Sequence, residues 1–180
     1  MKLNCDLGES FGSWQMGLDA DVMPYIDMAN IACGFHAGDA DVMARTLALA
    51  KQHGVAIGAH PSYPDLQGFG RRSMVLSHSE IVNCMRYQIA ALDGMALSAG
   101  VALSYVKPHG ALYNDMMSKP AVFAAVLDAV AGFYKPLKLM ILATARQQEF
   151  AAQAKAQGVE LIFEAFADRR YTDEGTLTPR

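Results

Sequence analysis

The chain has 180 residues and a formal net charge of −3. Hydrophobic residues make up 52% of it and charged residues 18%, a composition that excludes intrinsic disorder and gives no sign of a basic surface for nucleic acid. No apolar run is long enough to span a membrane, and the N-terminus turns polar too early for a signal peptide. The three cysteines form no C-x-x-C pair, so we expect neither disulfides nor a zinc knuckle, and a cytoplasmic location.

Six short apolar segments predict β-strands. They are near-continuous apolar runs rather than alternating ones, which is typical of parallel strands buried on both faces of a sheet. No linker, low-complexity segment or run of charges interrupts the chain, so we expect one domain over residues 1–180. The predicted strands are residues 3–7, 28–33, 55–60, 101–107, 137–142 and 159–166.

The segments between these strands predict helices, over residues 39–53, 118–131 and 144–157 and over a longer stretch after Ser77. Ser77 and Glu80 form a capping box that marks where the long helix begins. Glycines at 54, 100 and 158 separate a helical segment from the next apolar run, as glycine does where a helix ends. The long helix has an apolar stripe at helical spacing, namely Ile81, Met85, Ile89, Leu92 and Ala96.

Repeated helix-then-strand units fit either an open doubly wound sheet or a (β/α) barrel. Polar residues at the ends of different strands favour the barrel, because a barrel gathers the carboxyl ends of its strands around one mouth. These residues are Asp6, His36, His60 and His109. A full barrel needs about 250 residues, so we expect about six βα units here and an incomplete barrel. The last residues, 177–180, show no sequence feature that is typical of the end of a domain.

Two polar clusters follow the first two strands. Asp6 and Glu9 lie three residues apart beside a glycine, a spacing that suits cation binding or acid–base chemistry. The alternative is that Asp6 caps a turn and Glu9 begins a loop. After the second strand, Asn30 and His36 precede Asp39, the expected N-cap of the next helix. A tight turn requires neither Asn30 nor His36, so we interpret both as functional.

Two further clusters follow the third and fourth strands. His60 precedes a proline, which restricts it to an extended conformation, and the loop after it ends in Arg71 and Arg72. Paired arginines bind phosphate or carboxylate, although a solvated surface pair is the commoner case. Lys107 ends an apolar strand and requires an anion, either a ligand or, in a structural salt bridge, Asp6 or Glu164. It is followed by a short polar group, namely His109, Tyr113 and Asn114.

Five segments together resemble the LamB/YcsF family. They are NCDLGESFGSW, NIACGFHAGD, GVAIGAHPSYPDLQGFGRR, YVKPHGALYN and FEAFADRRY, and the likeness runs from Leu3 to Arg180. The resemblance implies a TIM-related barrel of the deacetylase-like kind. It also implies hydrolysis of the cyclic amide of 5-oxo-L-proline to L-glutamate, driven by conversion of ATP to ADP and phosphate. The family's role in that reaction is the A component of a 5-oxoprolinase, which works with subunits B and C. The resemblance implies no nucleic-acid or membrane partner.

For that reaction we expect ATP with Mg²⁺ as cofactor. Asp6, His36, His60 and His109 are the candidate catalytic residues, with the histidines as general acids or bases. The candidate substrate- and phosphate-binding residues are Glu9, Asn30, Arg71, Arg72, Lys107, Tyr113 and Asn114. One alternative is a metal-dependent hydrolase with Asp6, His36 and His60 as ligands of a transition metal. Another is a non-catalytic subunit that only binds substrate.

Overall fold

A computed structural model describes residues 1–172 and 178. Residues 177, 179 and 180, which the sequence analysis considered at the chain end, lie outside the described residues. All six predicted strands are confirmed, and they form one parallel sheet in the order β1-β2-β3-β4-β5-β6. The strands are β1 Asn4–Leu7, β2 Met28–Ala32, β3 Ala56–His60, β4 Leu103–Val106, β5 Lys138–Leu142 and β6 Leu161–Glu164.

The sequential strand order decides between the two architectures. A doubly wound sheet reverses its strand order at a switch point, whereas here each strand pairs with the next one in the chain. The sheet also curls toward closure. Asn4 on β1 donates a hydrogen bond of 3.1 Å to Glu164 on β6, the strand at the opposite edge, so the two edge strands lie close together. The fold is therefore the six-stranded part of a (β/α) barrel, as predicted.

The helices pack around the sheet, and one cluster of buried apolar side chains joins the strands to them. The capping box of Ser77 and Glu80 is confirmed, with both of its hydrogen bonds present. The predicted stripe of the long helix is buried throughout. The helices are α1 Asp19–Val22, α2 Ala40–His53, α3 His78–Ser98, α4 Gly110–Ser118, α5 Pro120–Ala131 and α6 Gln147–Ala156, with a 3₁₀ turn Met23–Tyr25 after α1.

Two parts of the helix prediction were wrong. The sequence analysis missed α1 and α4, and it began the next helix at residue 118, which belongs to α4. The break falls at Lys119, which is extended with φ −117° and ψ 107°. Proline at position 120 disfavours helical geometry in the residue before it, so α4 ends and α5 begins there. At its other end α4 begins at Gly110, directly after His109.

The packing of Tyr105 in the barrel interior requires a glycine on the neighbouring strand. Strand pairing places Asp6 beside Asn30, Asn30 beside Gly58, and Gly58 beside Tyr105. The Tyr105 ring lies over the bare backbone of Gly58, where a Cβ would overlap it. In this position the Tyr105 hydroxyl donates a hydrogen bond of 2.6 Å to Asn30 Oδ1, which links β4 to β2 across the interior.

We therefore expect Gly58→Ala to lower the free energy of unfolding by about 1–3 kcal/mol, because the ring has to move out of a packed interior. Urea denaturation measures this change. Gly94→Ala is the matched control, since it adds the same methyl group in α3 where no atom lies within 4 Å. It should stabilise the chain by about 0.5–1 kcal/mol. Equal effects of the two substitutions would contradict the packing argument.

Candidate functional site

Four of the predicted site residues meet at the carboxyl ends of the strands. Asp6 lies on β1, His60 ends β3, His36 follows β2 and His109 follows β4. Glu9, on the loop after β1, joins the three histidines. One ligand atom from Glu9 and one from each histidine all lie within 4.8 Å of one another. We call these four residues, Glu9, His36, His60 and His109, the histidine cluster.

The loop after His60 closes over the histidine cluster. A Cβ on Gly70 would lie 2.8 Å from the His109 ring and 2.9 Å from His36 Cβ, so only glycine allows this approach. Phe69 has a φ of 54°, a left-handed conformation that is uncommon outside glycine. Its carbonyl accepts a hydrogen bond of 2.9 Å from His109 Nε2. The strained residue thus positions a ring of the cluster.

Backbone carbonyls determine which nitrogens of two histidines are protonated. His60 Nδ1 donates to the Lys107 carbonyl at 2.6 Å, and His109 Nε2 donates to the Phe69 carbonyl. In the neutral rings the other two nitrogens, His60 Nε2 and His109 Nδ1, therefore carry lone pairs. These two atoms face each other at 2.9 Å. Two lone pairs repel at that distance, so the arrangement suits the binding of one proton or one metal ion by both nitrogens.

His36 completes the cluster from the other side. Its ring stacks on His109 with centroids 3.7 Å apart, and its Nε2 lies 3.3 Å from Glu9 Oε1. The same Glu9 oxygen is 3.5 Å from His109 Nδ1. His36 Nδ1 is buried without a hydrogen-bond partner among the described residues. The carboxylate of Glu9 thus contacts two of the three rings.

The surroundings shift the pKa of each group in a direction that follows from burial and charge. Burial and the charge of His60 lower the pKa of His36 well below its usual range. Burial, followed by the charges of His60 and His36, lowers the pKa of His109 to about 2. Burial raises the pKa of Glu9. Burial also opposes ionisation of Asp6, but His60 and Lys107 outweigh it and hold the pKa of that carboxyl well below its usual range.

We expect the free energy of unfolding to decrease as the pH is lowered from 7 to 5. Below pH 6.5, the ordinary histidine pKa, the unfolded chain binds a proton at His109 that the folded chain does not bind. Stability therefore falls as the pH moves toward the folded pKa, by about 2 kcal/mol at pH 5 for this residue. Urea denaturation at the two pH values, with a chelator present, measures the change. His109→Gln should remove about 2 kcal/mol of the decrease, while His36, whose pKa is lowered in the same direction, contributes a part that remains. The exposed His78→Gln should leave the decrease unchanged, and an equal decrease in all three proteins would contradict the assignment.

Lys107 meets protein carboxylates, which was the structural alternative considered for it. Its ammonium group lies 3.0 Å from Asp6 Oδ1 and 3.2 Å from Glu164 Oε2. Burial lowers the pKa of Lys107, but these two carboxylates outweigh burial and raise it. Asn30 donates to Asp6 at 2.8 Å, so this predicted residue positions the Asp6 carboxylate.

The remaining predicted residues differ in their placement. The exposed Arg72 forms an ion pair with the buried Asp65, and Asn114 is exposed on α4, so neither joins the histidine cluster. The guanidinium of Arg71 is exposed and lies 5.3 Å from the centre of the Phe69 ring. Tyr113 is buried, and burial, followed by the charge of Glu164 and a hydrogen bond to that carboxylate, raises the pKa of Tyr113 well above its usual range.

Sequence reasoning missed two members of the polar interior, Asn4 and Tyr105, and gave Glu164 little weight. Asn4 lies two residues before Asp6, and Tyr105 lies two residues before Lys107. Side chains two apart on a strand point to the same face. That alternation is the signal from which both residues could have been predicted.

Comparisons with known proteins identify the family of this chain. The model of the LamB/YcsF family matches residues 1–180. The chain belongs to the LamB/YcsF family. The LamB/YcsF relatives include the A component of 5-oxoprolinase from Vibrio cholerae serotype O1, which is 59% identical over 180 residues, covering 100% of this chain and 72% of the relative. A second relative, one of the 5-oxoprolinase A components of Pseudomonas putida, is 61% identical over 178 residues, covering 99% and 69% of the two chains.

A solved LamB/YcsF-like structure supports the fold. The crystal structure of the lactam utilization protein from Thermus thermophilus matches with a TM-score of 0.91 and 41% identity, covering 99% of this chain and 71% of that one. This LamB/YcsF chain therefore spans about 70% of the length of the relatives it matches. Within the described residues no helix combines the length and apolar character needed to cross a membrane.

Proposed function

We propose that this chain is the ring-opening component of an ATP-dependent 5-oxoprolinase, acting in the cytoplasm with subunits B and C. The observation that carries the proposal is the convergence of three histidines and Glu9 within 4.8 Å, beside the Asp6–Lys107 pair. Relatives named as the A component of 5-oxoprolinase, 59% identical over the whole chain, support the same reaction.

The chemistry explains the need for ATP. A five-membered lactam is an unstrained amide, so its hydrolysis is poorly driven. Transfer of the γ-phosphoryl group of ATP to the amide oxygen releases ADP and makes C5 of the ring electrophilic. One water then adds to C5, and the ring nitrogen leaves with a proton, which gives γ-glutamyl phosphate. A second water releases phosphate and L-glutamate. The site must therefore accept a proton from water and deliver one to nitrogen.

The histidine cluster suits these two proton transfers. The facing nitrogens of His60 and His109 are 2.9 Å apart, a distance over which one proton is shared. Before the reaction the pair holds no proton, so one of its lone pairs accepts a proton from water, and the pair then returns that proton to the leaving amine. The carboxylate of Asp6 lies 3.5 Å from His60 Nε2, which places a negative charge beside the proton that the pair shares. Glu9 orients His36 and His109.

The cations of the site suggest which subunits handle ATP. Two carboxylates neutralise Lys107, and Asp65 pairs with Arg72. These side chains therefore have little charge left for a triphosphate. We assign ATP with Mg²⁺ to a site that subunits B and C provide or complete, with Arg71 as this chain's contribution to phosphate binding.

Reconstitution tests the proposal. The chain is combined with subunits B and C, 5-oxo-L-proline and Mg-ATP, and L-glutamate and ADP are measured together. We expect equal amounts of both products with all subunits present, and no glutamate when this chain is omitted. Glutamate formation without this chain would contradict the assignment. Full activity with all three histidines substituted would instead favour a component that only binds substrate.

A metal-dependent hydrolase is the second candidate, and one observation favours it. The same four residues offer three imidazole nitrogens and a carboxylate oxygen to one point, and backbone carbonyls fix the second nitrogen of His60 and His109 as they do in metal sites. Of the predicted ligands, His36 and His60 belong to this set, whereas Asp6 lies beside it. Glu9 and His109 complete the set. A divalent ion held there would lower the pKa of a bound water.

Metal analysis separates the two candidates. The chain is purified without chelator, and its metal content is measured before and after dialysis. One equivalent of zinc, lost in His36→Ala and His60→Ala but retained in His78→Ala, would favour the metal-dependent hydrolase. A metal-free chain that supports ATP-coupled turnover would favour the 5-oxoprolinase chemistry of the histidine pair.

A further inference from the structure

One residue of the loop after β3, Asp65, binds the backbone on both sides of Phe69. Its carbonyl accepts a hydrogen bond of 2.8 Å from Gly70 N. Its carboxylate accepts one of 2.9 Å from Gly68 N and one of 3.2 Å from Arg72 N. Asp65 is only 2% exposed, so little water competes for these bonds. Three alternate N–H groups of the loop therefore converge on one residue.

The side chain of Arg72 completes this arrangement. Its Nε donates to Asp65 Oδ1 at 2.9 Å, and a second guanidinium nitrogen binds the same oxygen. The carboxylate thus receives four N–H donors, about as many as an ionised carboxylate accepts. An amide in its place would offer one acceptor oxygen instead of two, so the arrangement depends on the carboxylate.

The loop needs this support because Phe69 has an unfavourable conformation. Its φ of 54° lies in the left-handed region, which a residue other than glycine keeps only where its surroundings impose it. In that conformation the Phe69 carbonyl accepts from His109 Nε2 at 2.9 Å. The next carbonyl, of Gly70, accepts from Ala111 N at 2.8 Å. The position of the Phe69 carbonyl therefore depends on Asp65 within the loop and on the start of α4 outside it.

The Phe69 carbonyl in turn controls the protonation of the facing histidine nitrogens. While it accepts from His109 Nε2, the lone pair of His109 Nδ1 faces His60 Nε2 at 2.9 Å. Without that acceptor the proton moves to His109 Nδ1, because this tautomer replaces the contact of two lone pairs by an ordinary hydrogen bond. Glu9 Oε1, 3.5 Å from Nδ1, favours a proton there as well. The carbonyl thus keeps the two nitrogens able to bind a further proton.

We propose that Asp65 is a positioning residue, which holds the Phe69 carbonyl on His109 and thereby keeps the facing nitrogens of His60 and His109 unprotonated. Its carboxylate binds donors of the loop, and its effect on the reaction passes through Phe69 and the His109 ring. The inference deepens the proposed function, on which its kinetic part rests. The tautomer of His109 is a property of this chain alone.

NMR of the histidine nitrogens, on the full 180-residue chain, tests the proposal without ATP or other subunits. The chain is isotopically labelled on nitrogen and measured at pH 7 with a chelator present, and the His109 signals are assigned by their loss in His109→Gln. We expect the unaltered chain to carry the His109 proton on Nε2 and Asp65→Asn to carry it on Nδ1 in most molecules. A loss of stability alone would not move the proton between the two nitrogens.

Gly68→Ala disturbs the same carboxylate without removing a charge. A Cβ on Gly68 would lie 2.2 Å from Asp65 Oδ2 and 2.4 Å from Arg72 Nε, so the carboxylate has to leave its donors. This variant should move the His109 proton as Asp65→Asn does, and it decides the matter if Asp65→Asn fails to fold. A proton that stays on Nε2 in both variants, or that lies on Nδ1 in the unaltered chain, would overturn the proposal.

Two matched controls separate this effect from a general one. Glu149→Gln removes the charge of an exposed carboxylate that Arg146 binds with two nitrogens, at 2.9 and 2.8 Å. Gly94→Ala adds a methyl group where no atom lies within 4 Å. Both variants should keep the His109 proton on Nε2, and a shift in either of them as large as in Asp65→Asn would contradict the role of the loop.

Rates in the assembled complex distinguish this proposal from the proposed function. We expect Asp65→Asn to lower kcat about 10- to 100-fold and to change the KM for 5-oxo-L-proline less than about twofold, because the loop supports the chemical step rather than substrate binding. An unchanged kcat would refute the positioning role alone. A shifted proton in the variant, with no glutamate formed by the unaltered complex, would refute the 5-oxoprolinase assignment and leave Asp65 as the residue that sets the tautomer of His109.

Discussion

Replacing His60 or His109 with alanine is expected to lower the rate of glutamate formation by the assembled complex at least about 100-fold. A positioned acid–base group contributes about 10²–10⁴-fold to a rate, and these two rings share one proton position at 2.9 Å. Because the nitrogens act as one unit, the double substitution should cost little more than either single one. Glutamate formed per second at saturating 5-oxo-L-proline and ATP is the measurement.

His78→Ala is the matched control for these variants. His78 is exposed on α3 and pairs with Asp128 at 2.8 Å, and it is no member of the histidine cluster. It should retain the full rate. Near-normal turnover in both His60→Ala and His109→Ala, with folding verified by circular dichroism, would refute the role given to the pair.

Replacing Lys107 with methionine is expected to lower the free energy of unfolding by about 3–5 kcal/mol. The ammonium-bearing side chain is 5% exposed and the Glu164 side chain 4% exposed, so removal of the ammonium group leaves a buried negative charge without a counter-ion. Asp6 loses the same partner. Chemical denaturation at pH 7 measures the change. The double variant Lys107→Met with Glu164→Leu should recover part of the loss, because it also removes the stranded charge.

Lys138→Met provides the control for this prediction. Lys138 forms an ion pair with Glu160 at 2.6 Å, but both side chains are about half exposed or more, at 47% and 66%. Surface pairs contribute about 0–1 kcal/mol, so the loss should stay below about 1 kcal/mol. A similar small loss in Lys107→Met would show that water screens the interior ion pairs.

The strands and most of the long helices could be predicted from sequence because their signals are local. The capping box at Ser77 and Glu80 and the glycine at 54 act within a few residues, and each marks a helix end in the structure. The apolar runs mark strands buried on both faces. The helix α4 was missed because it is only nine residues long and lies directly against Pro120, where one longer helical pattern is interrupted.

The sequence by itself determined that Asp6, His36, His60 and His109 would share one end of the sheet, because successive parallel strands in a barrel all present their carboxyl ends at the same mouth. Only the tertiary structure decided what each group meets there. Lys107 binds Asp6, 101 residues away in the chain, and Glu164, which is on the last strand of the sheet. The curl of the sheet brings β6 back to β1, and no local pattern encodes that closure. The same long-range packing brings the Tyr113 phenol on α4 to the Glu164 carboxylate on β6, since hydrogen bonding in a buried interior depends on side chains from distant elements.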